Sequence, residues 1–328
     1  MSEAIAQGSG VYTALANRLH PRQLVPALLL PGLGILVFLL LWQLAANSIE
    51  TSLGQFPGPA EVWEQAQNLA EEHQRERRRE TAFDERQQQR NERLLEKNPD
   101  AEIKWRGYTG KPTFLDQVVT SLKTVAAGFL LANLVAIPLG ILCGLSSGVY
   151  RAINPLIQVF KPVSPLAWLP LVTMVVSASY TAQDPMFDKA FLNSAITVAL
   201  CCLWPTLINT TVGVAGIDRD LVNVSRVMSL APLVHVRKIV LPAAMPMIFT
   251  GLRLSLATGW MVLIAAEMLS QNPGLGKFVW DEFQNGSSSS LGRIMVAVVA
   301  IGLIGFALDK LMLSLQARVN WDKQAVLR

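Results

Sequence analysis

The stretch from Asp218 to Pro242 reads D-R-D-L-V-N-V-S-R-V-M-S-L-A-P-L-V-H-V-R-K-I-V-L-P and passes directly into a long apolar run. Leu221, Val224 and Met228 recur at helical spacing while Arg219, Asn223 and Arg226 fall on other faces. The first half is therefore expected to form a short two-sided helix. Pro232 disfavours helical geometry at Ala231 and sets a break near Ser229 to Pro232. The whole segment reads as a docking element outside the bilayer joined to a membrane span.

Outward from this stretch the chain is dominated by apolar runs. Six of them reach the ~20 residues needed to cross a hydrocarbon core: Leu24 to Ala46, Val118 to Leu145, Ile153 to Ser177, Phe191 to Val214, Ala243 to Leu269 and Ile294 to Leu315. Charge is segregated to match. Residues Glu61 to Asp116 hold 11 Lys/Arg and 13 Asp/Glu of the chain's 28 and 24, which a soluble globular domain would spread more evenly. The expected class is an all-α membrane protein of about six transmembrane helices with a charged insertion. The divisions are residues 1–23 as a cytoplasmic segment, 24–46 as the first span, 47–117 as a periplasmic loop, 118–316 as spans two to six including the coupling loop 218–242, and 317–328 as a cytoplasmic tail. The first run follows some twenty residues and is too long for a secretory signal. Cys143, Cys201 and Cys202 all sit in apolar runs with no metal-ligand spacing, which points to packing.

Orientation follows from basic residues at the span ends. Arg18, Arg22, Arg151, Arg219, Arg226, Arg237, Lys238, Arg318, Lys323 and Arg328 share one side if there are six spans, and the positive-inside rule makes that side cytoplasmic. The loop after span one falls on the other side; its basic residues are balanced by acids, and long loops translocate largely regardless of charge. In that loop F-P-G-P-A-E-V-W-E, Phe56 to Glu64, starts a short helix with Val62, Ala66 and Leu69 on one face. Gln74 to Glu102 is rich in Gln, Arg and Glu with few aliphatics, so it reads as a solvated helix or excursion outside any core, or as a docking contact for an external partner. Acids interleave with Arg75 to Arg79, so no net basic stripe is expected there and nucleic acid is excluded as a partner.

The spacing of the opening stretch resembles the EAA loop of ABC-transporter permeases, whose pattern is E-A-A, three residues, Gly, nine residues, I-x-L-P. Here those positions are Asn223-Val224-Ser225, Ser229 and Ile239-Val240-Leu241-Pro242, with the Glu, both Ala and the Gly replaced. Asn154 to Pro170, N-P-L-I-Q-V-F-K-P-V-S-P-L-A-W-L-P, is similar to the third-span stretch of permeases for nitrate, sulfonate and taurine. W-P-T-L-I-N-T-T at Trp204 to Thr211, Thr250 to Leu269, and F-V-W-D-E-F-Q-N at Phe278 to Asn285 resemble the nitrate/bicarbonate/cyanate branch, nitrate most of all.

This resemblance implies a type I ABC importer: two permease copies in the bilayer, two cytoplasmic ATPases carrying ATP and Mg, and a periplasmic binding protein that delivers the solute. The permease itself would bind no cofactor and catalyse no reaction. Residues expected to couple to the ATPase are Leu221, Asn223, Val224, Ser225, Arg226, Met228, Ser229 and His235. Those expected along the path are Lys161, Ser164, Trp168, Thr173, Asn209 and Arg253. Lys161 lies ten residues beyond Arg151, about 15 Å if helical and hence near mid-depth, and prolines follow it. Buried cations are costly and point to function, yet Arg253 has a structural alternative in Asp309 and Lys161 one in carbonyls freed at the proline breaks. Thr173, Asn193, Asn209, Thr210 and Thr211 are donors for an oxyanion or for a neighbouring helix. Glu267, at the outer end of span five, fits packing or gating better than an anion path.

Other classes find less support. G-L-G-K-F at Gly274 to Phe278 lacks P-loop spacing, and His20, His73 and His235 are too scattered for a metal centre. An ion-gradient-driven transporter would show internal repeats with paired acidic sites, and only Glu267 and Asp309 are present. No clustered nucleophile, base or metal set marks an enzyme. Among solutes nitrate leads, with nitrite, cyanate, bicarbonate or a small sulfonate behind it.

Overall fold

A computed structural model describes residues 21–51, 54–98, 103–180, 187–287 and 289–319, with side chains from residue 29 onward. The segment 1–20, the tail from 320 and residues 99–102 of the charged loop lie outside the described residues, and with them His20, Arg18, Lys323 and Arg328. Helix α1 (Pro21–Ser48) leads through a two-residue hairpin, β1 (Glu50–Thr51) against β2 (Gly54–Gln55), into α2 (Pro59–Lys97). Then come α3 (Phe114–Leu145), α4 (Ser147–Phe160), α5 (Pro165–Ser179), α6 (Lys189–Ala215), α7 (Arg219–Val227), α8 (Pro232–His235), α9 (Leu241–Ser270), α10 (Leu275–Asn285) and α11 (Ser290–Val319). Five apolar helices are long enough to cross a membrane, and α4 with α5 makes a sixth if the bent pair counts as one span.

Helices α3, α6 and α9 form the centre, where Val125, Val198, Cys202, Trp260 and Leu263 pack together. In α3 the small residues Gly128, Ala132, Ala136, Gly140 and Gly144 recur every fourth position, so one smooth strip lies against α6. A methyl group at Gly128 would sit 2.6 Å from the Ala195 carbonyl and one at Gly140 2.7 Å from Thr210 Cβ. Helices in lipid approach through such strips, because dispersion takes over where water no longer drives them together. Cys143 and Cys202 are buried in this packing and Cys201 is half-buried.

Two expectations are corrected here. The sequence reading draws one span over Ile153 to Ser177, but α4 and α5 meet at 102°. Pro162 and Pro165 bracket the corner: Pro165 opens α5 at its first turn, where its missing N–H costs nothing, and Ser164 caps that turn by accepting from Leu166 N. The short helix after Phe56 and the solvated segment after Gln74 are also one element and not two, the solvated-helix alternative being the one found. No Gly or Pro interrupts Ala60 to Asn98, so α2 runs unbroken for 39 residues, about 58 Å.

Its first third does what the sequence implies. Val62 and Leu69 are buried with Ala66 against Phe278, Val296 and Ala297. Beyond Gln74 the helix is a solvated arm, and the returning chain is strapped to it. Gln87 donates to Arg106 O (3.0 Å) and accepts from Arg106 N (2.7 Å), while Phe83 packs on Tyr108 at 5.5 Å. The Tyr108 hydroxyl donates to Glu76 (2.7 Å), whose carboxylate raises the phenol above its ordinary range. The continuous helix also sorts charges that look mixed in sequence. Arg75, Arg79, Arg86, Arg90, Arg93 and Lys97 fall within a sector of about 60° at 100° per residue. A basic stripe therefore exists after all.

Candidate functional site

Helix α7 begins under Asp218, whose carboxylate accepts from Asp220 N (2.9 Å), and ends in a Schellman motif. Leu230 N bonds to Ser225 O (3.2 Å) and Ser229 N to Arg226 O (3.0 Å). Ser229 takes φ 49°, the left-handed region that favours glycine, and it stands where the family pattern has Gly. The motif's glycine is thus a backbone requirement that Ser229 meets under strain.

Val222 of α7 lines the cleft toward the bundle, while four other apolar residues of this segment stand exposed. Leu221 is 46% exposed, Val224 52%, Met228 64% and Val227 86%. Val227 is absent from the sequence-based set, although it stands three residues after Val224 on the same side. Asn223, Arg226 and Ser229 are exposed beside these residues. Ser225 is turned inward instead: it is buried, and its hydroxyl meets His235 Nδ1 at 2.7 Å across the turn. Ser225 and His235 brace α7 against the helix that follows. Between α7 and the ends of α3 and α6 lies a cleft of about 770 Å³ lined by Asn223, Arg226 and His235 among others.

From Pro232 the chain is helical without interruption to Ser270, 39 residues. Within it Val236–Val240 is a π-turn, closed by Leu241 N on Val236 O. Pro242 explains the widening. It has no N–H, and in an α-helix its ring would strike the carbonyl of Lys238 four residues back. The I-V-L-P sequence is therefore a built-in bulge in a rigid rod.

The corner between α4 and α5 carries Lys161. Phe160 stacks on Trp204 at 6.4 Å and packs on Trp168 at 5.7 Å, fixing the corner against the middle of α6. Trp204 is eleven residues before the end of α6, about 16 Å along the axis. Lys161 is exposed in the single chain, and no ion pair among the described residues includes it. With Tyr150, Asn154, Gln158 and Thr211 it lines a recess of about 410 Å³. Tyr150, Asn154 and Gln158 were missed, yet their spacing of four is a readable polar stripe in an apolar run.

Arg253 lies elsewhere. Its guanidinium donates in a fork to Asp309, Nε to Oδ1 at 2.5 Å and Nη2 to Oδ2 at 3.0 Å, in a smaller recess of about 160 Å³ between α9 and α11. The structural alternative for Arg253 is thus the arrangement found, and Lys161 and Arg253 line different recesses. Asn209 Nδ2 donates to Pro205 O (2.8 Å) and Thr211 to Leu207 O (2.8 Å), both on their own helix. Thr173 is half-buried on α5.

At the far end of the bundle Glu267 is fully buried. Ser121 Oγ donates to both its oxygens (2.9 and 2.8 Å), Gly276 N donates to Oε2 (3.0 Å), and Ser121 in turn accepts from Leu275 N (2.8 Å). A methyl group at Gly276 would lie 2.1 Å from Ile264 O, so only glycine lets α10 come this close. This knot joins α3, α9 and α10 and gives Glu267 a packing role.

Comparison with known proteins matches residues 136–321 to the family described as binding-protein-dependent transport system inner membrane component. The chain is 33% identical over 294 residues to a nitrate import permease of Synechocystis sp., covering 90% of each. It is 34% identical over 296 residues to a bicarbonate transport permease of Synechococcus elongatus, again covering 90% of each. A nitrate import permease of Leptolyngbya laminosa is 38% identical over 208 residues, 63% of this chain and 70% of the relative. Among solved structures, an inward-facing methionine ABC transporter chain superposes with TM-score 0.53 at 15% identity, over 63% of this chain and 96% of that one.

Proposed function

This chain belongs to the binding-protein-dependent transport system inner membrane component family, and from that premise we propose that it is the permease subunit of an ATP-driven importer that carries nitrate inward. Two copies form the pathway. Two separate ATPase chains bind ATP and Mg and dock on α7, so the α7 end and both termini are cytoplasmic, and the arm end receives solute from a binding protein.

The observation that carries this reading is the pairing of an outward apolar face on a capped short helix with an uninterrupted helix into the bilayer. Leu221, Val224, Val227 and Met228 give a partner something to hold. The rod from Pro232 to Ser270 turns the partner's movement into displacement of a span, which a floppy loop would absorb. Within the bilayer Lys161 is a cation in no ion pair among the described residues, at a corner halfway along α6, and is placed to attract an anion at the junction of two copies. Ser164, Trp168, Thr173 and Asn209 shape the surroundings of that corner, and Arg253 supplies field only so far as Asp309 leaves it uncompensated.

The test is uptake of isotope-labelled nitrate into vesicles holding the permease, its ATPases and ATP, with the binding protein outside. Uptake should require all of these. Uptake driven by an imposed ion gradient without ATP would overturn the proposal in favour of a secondary transporter. The similarity to a bicarbonate permease makes bicarbonate the second solute to try, then nitrite, cyanate and a small sulfonate as competitors.

A further inference from the structure

The arm is not needed to make the bundle. The family match begins at residue 136, and a solved chain of the same fold is 96% covered by 63% of this one. Yet its distal half presents Arg86, Arg90, Arg93 and Lys97, all exposed, on one face. None of the four is in an ion pair among the described residues, unlike Arg75 and Arg79 further back, which bond Glu71 and Glu76. Among the described residues Arg86 bonds the Ala82 carbonyl (2.9 Å) and Arg90 that of Lys104 (3.5 Å). Together with Gln89 and Leu94 they line a recess of about 330 Å³.

We propose that this face of the arm is a docking surface for an acidic patch on the solute-binding protein, an inference that rests on the importer reading above. Four like charges at adjacent helical positions repel one another, and an opposing carboxylate surface relieves that repulsion while steering encounter. A lipid surface fits less well. Glu85 and Glu96 stand exposed at one edge of the stripe, about 90° to 110° round the helix from its centre, where a broad anionic bilayer would meet them too. From Gln74 to Lys97 only Ala82, Phe83, Leu94 and Leu95 are apolar, too few for a helix that embeds in an interface. A protein patch can match the stripe alone.

The base of the arm makes docking consequential. Arg77 pairs with Asp116 at the start of α3 (2.8 Å). Arg293 of α11 holds Glu72 of the arm through two bonds of 2.9 Å, pairs with Glu282 of α10 at 2.8 Å and lies over the Phe278 ring. A load on the arm is thereby passed to α10 and to two spans.

The experiment measures binding of the purified solute-binding protein of the same system to the whole transporter, assembled with its ATPases in phosphatidylcholine nanodiscs. Changing Arg86, Arg90, Arg93 and Lys97 together to Gln is expected to weaken binding about tenfold or more at low salt. Binding to the unmodified transporter should weaken steeply as salt rises. Unchanged affinity of the assembled Gln variant overturns the proposal. So does a loss of affinity confined to vesicles containing phosphatidylglycerol, which assigns the stripe to lipid. Should the variant not assemble, salt-independent binding by the unmodified transporter overturns it equally. Failure of the unmodified transporter to take up nitrate with ATP and this binding protein counts against the importer reading instead, since docking is read from binding alone.

Discussion

At one end of the bundle Val224, Val227 and Met228 project apolar side chains into open space; at the other, both carboxylate oxygens of Glu267 are held by Ser121 and Gly276, and Arg293 is ion-paired with Glu72 and Glu282. The first end is unfinished as a single chain and the second is complete. The Ser225–His235 bond and the Schellman turn hold α7 while most of its apolar face stays exposed, which under the proposed importer reading is left for the ATPase to bury. The complete end contributes stability, the unfinished end assembly, and substitutions should separate the two.

The largest effect is expected from Val224→Asp combined with Val227→Asp. A charge in an apolar contact is costly, so co-purification with the ATPase and nitrate uptake should both be lost, while the thermal unfolding of the isolated subunit in detergent stays within about 0.5 kcal/mol of the unmodified chain. A comparable loss of subunit stability would collapse the contrast between the ends.

Glu267→Ala should do the reverse. Ser121 and Gly276 N–H lose their acceptor in a fully buried site, costing about 2–3 kcal/mol, visible as a lower unfolding midpoint of the isolated subunit. A midpoint that does not move would show that the knot is not what holds the far end together.

Lys161→Met probes the corner between them. Assembly should be kept and nitrate uptake should fall several-fold, about 1 kcal/mol in transport efficiency. Normal uptake by the assembled variant would remove Lys161 from the pathway.

The smallest effect belongs to Ser229→Gly. Relief at φ 49° outweighs the entropy of glycine, so the subunit should gain about 0.5–1 kcal/mol in thermal unfolding with ATPase binding retained. A loss of stability would mean that the Ser229 side chain is wanted at the turn.

Much of this was legible in the sequence because hydropathy reports burial in lipid directly, and the spacing from Asn223 to Pro232 reports the turn, whereas the π-turn before Pro242 was not read from it. Direction is another matter. A run such as Ile153 to Ser177 is equally apolar whether straight or folded through 102°, so only the cluster Pro162, Pro165 and Pro170 hinted at the corner. The arm was divided where its composition changes, although the absence of Gly and Pro from Ala60 to Asn98 already favours one helix. Pairings across long separations, Ser121 with Glu267 and Glu72 with Arg293, leave no local trace. Arg253 and Asp309 could be guessed as partners because each is one of few charges in an apolar run.

The π-turn at Val236–Val240 has one more consequence. Counted against an α-helix it is a single supernumerary residue, and one residue is about 100° of rotation. Everything upstream of Val236 is therefore out of phase with everything downstream of Leu241 by a bit more than a quarter of a revolution. The azimuth of the turn that carries α7 follows from that offset, so the I-V-L-P sequence works as the indexing tooth that clocks one rod end against the other.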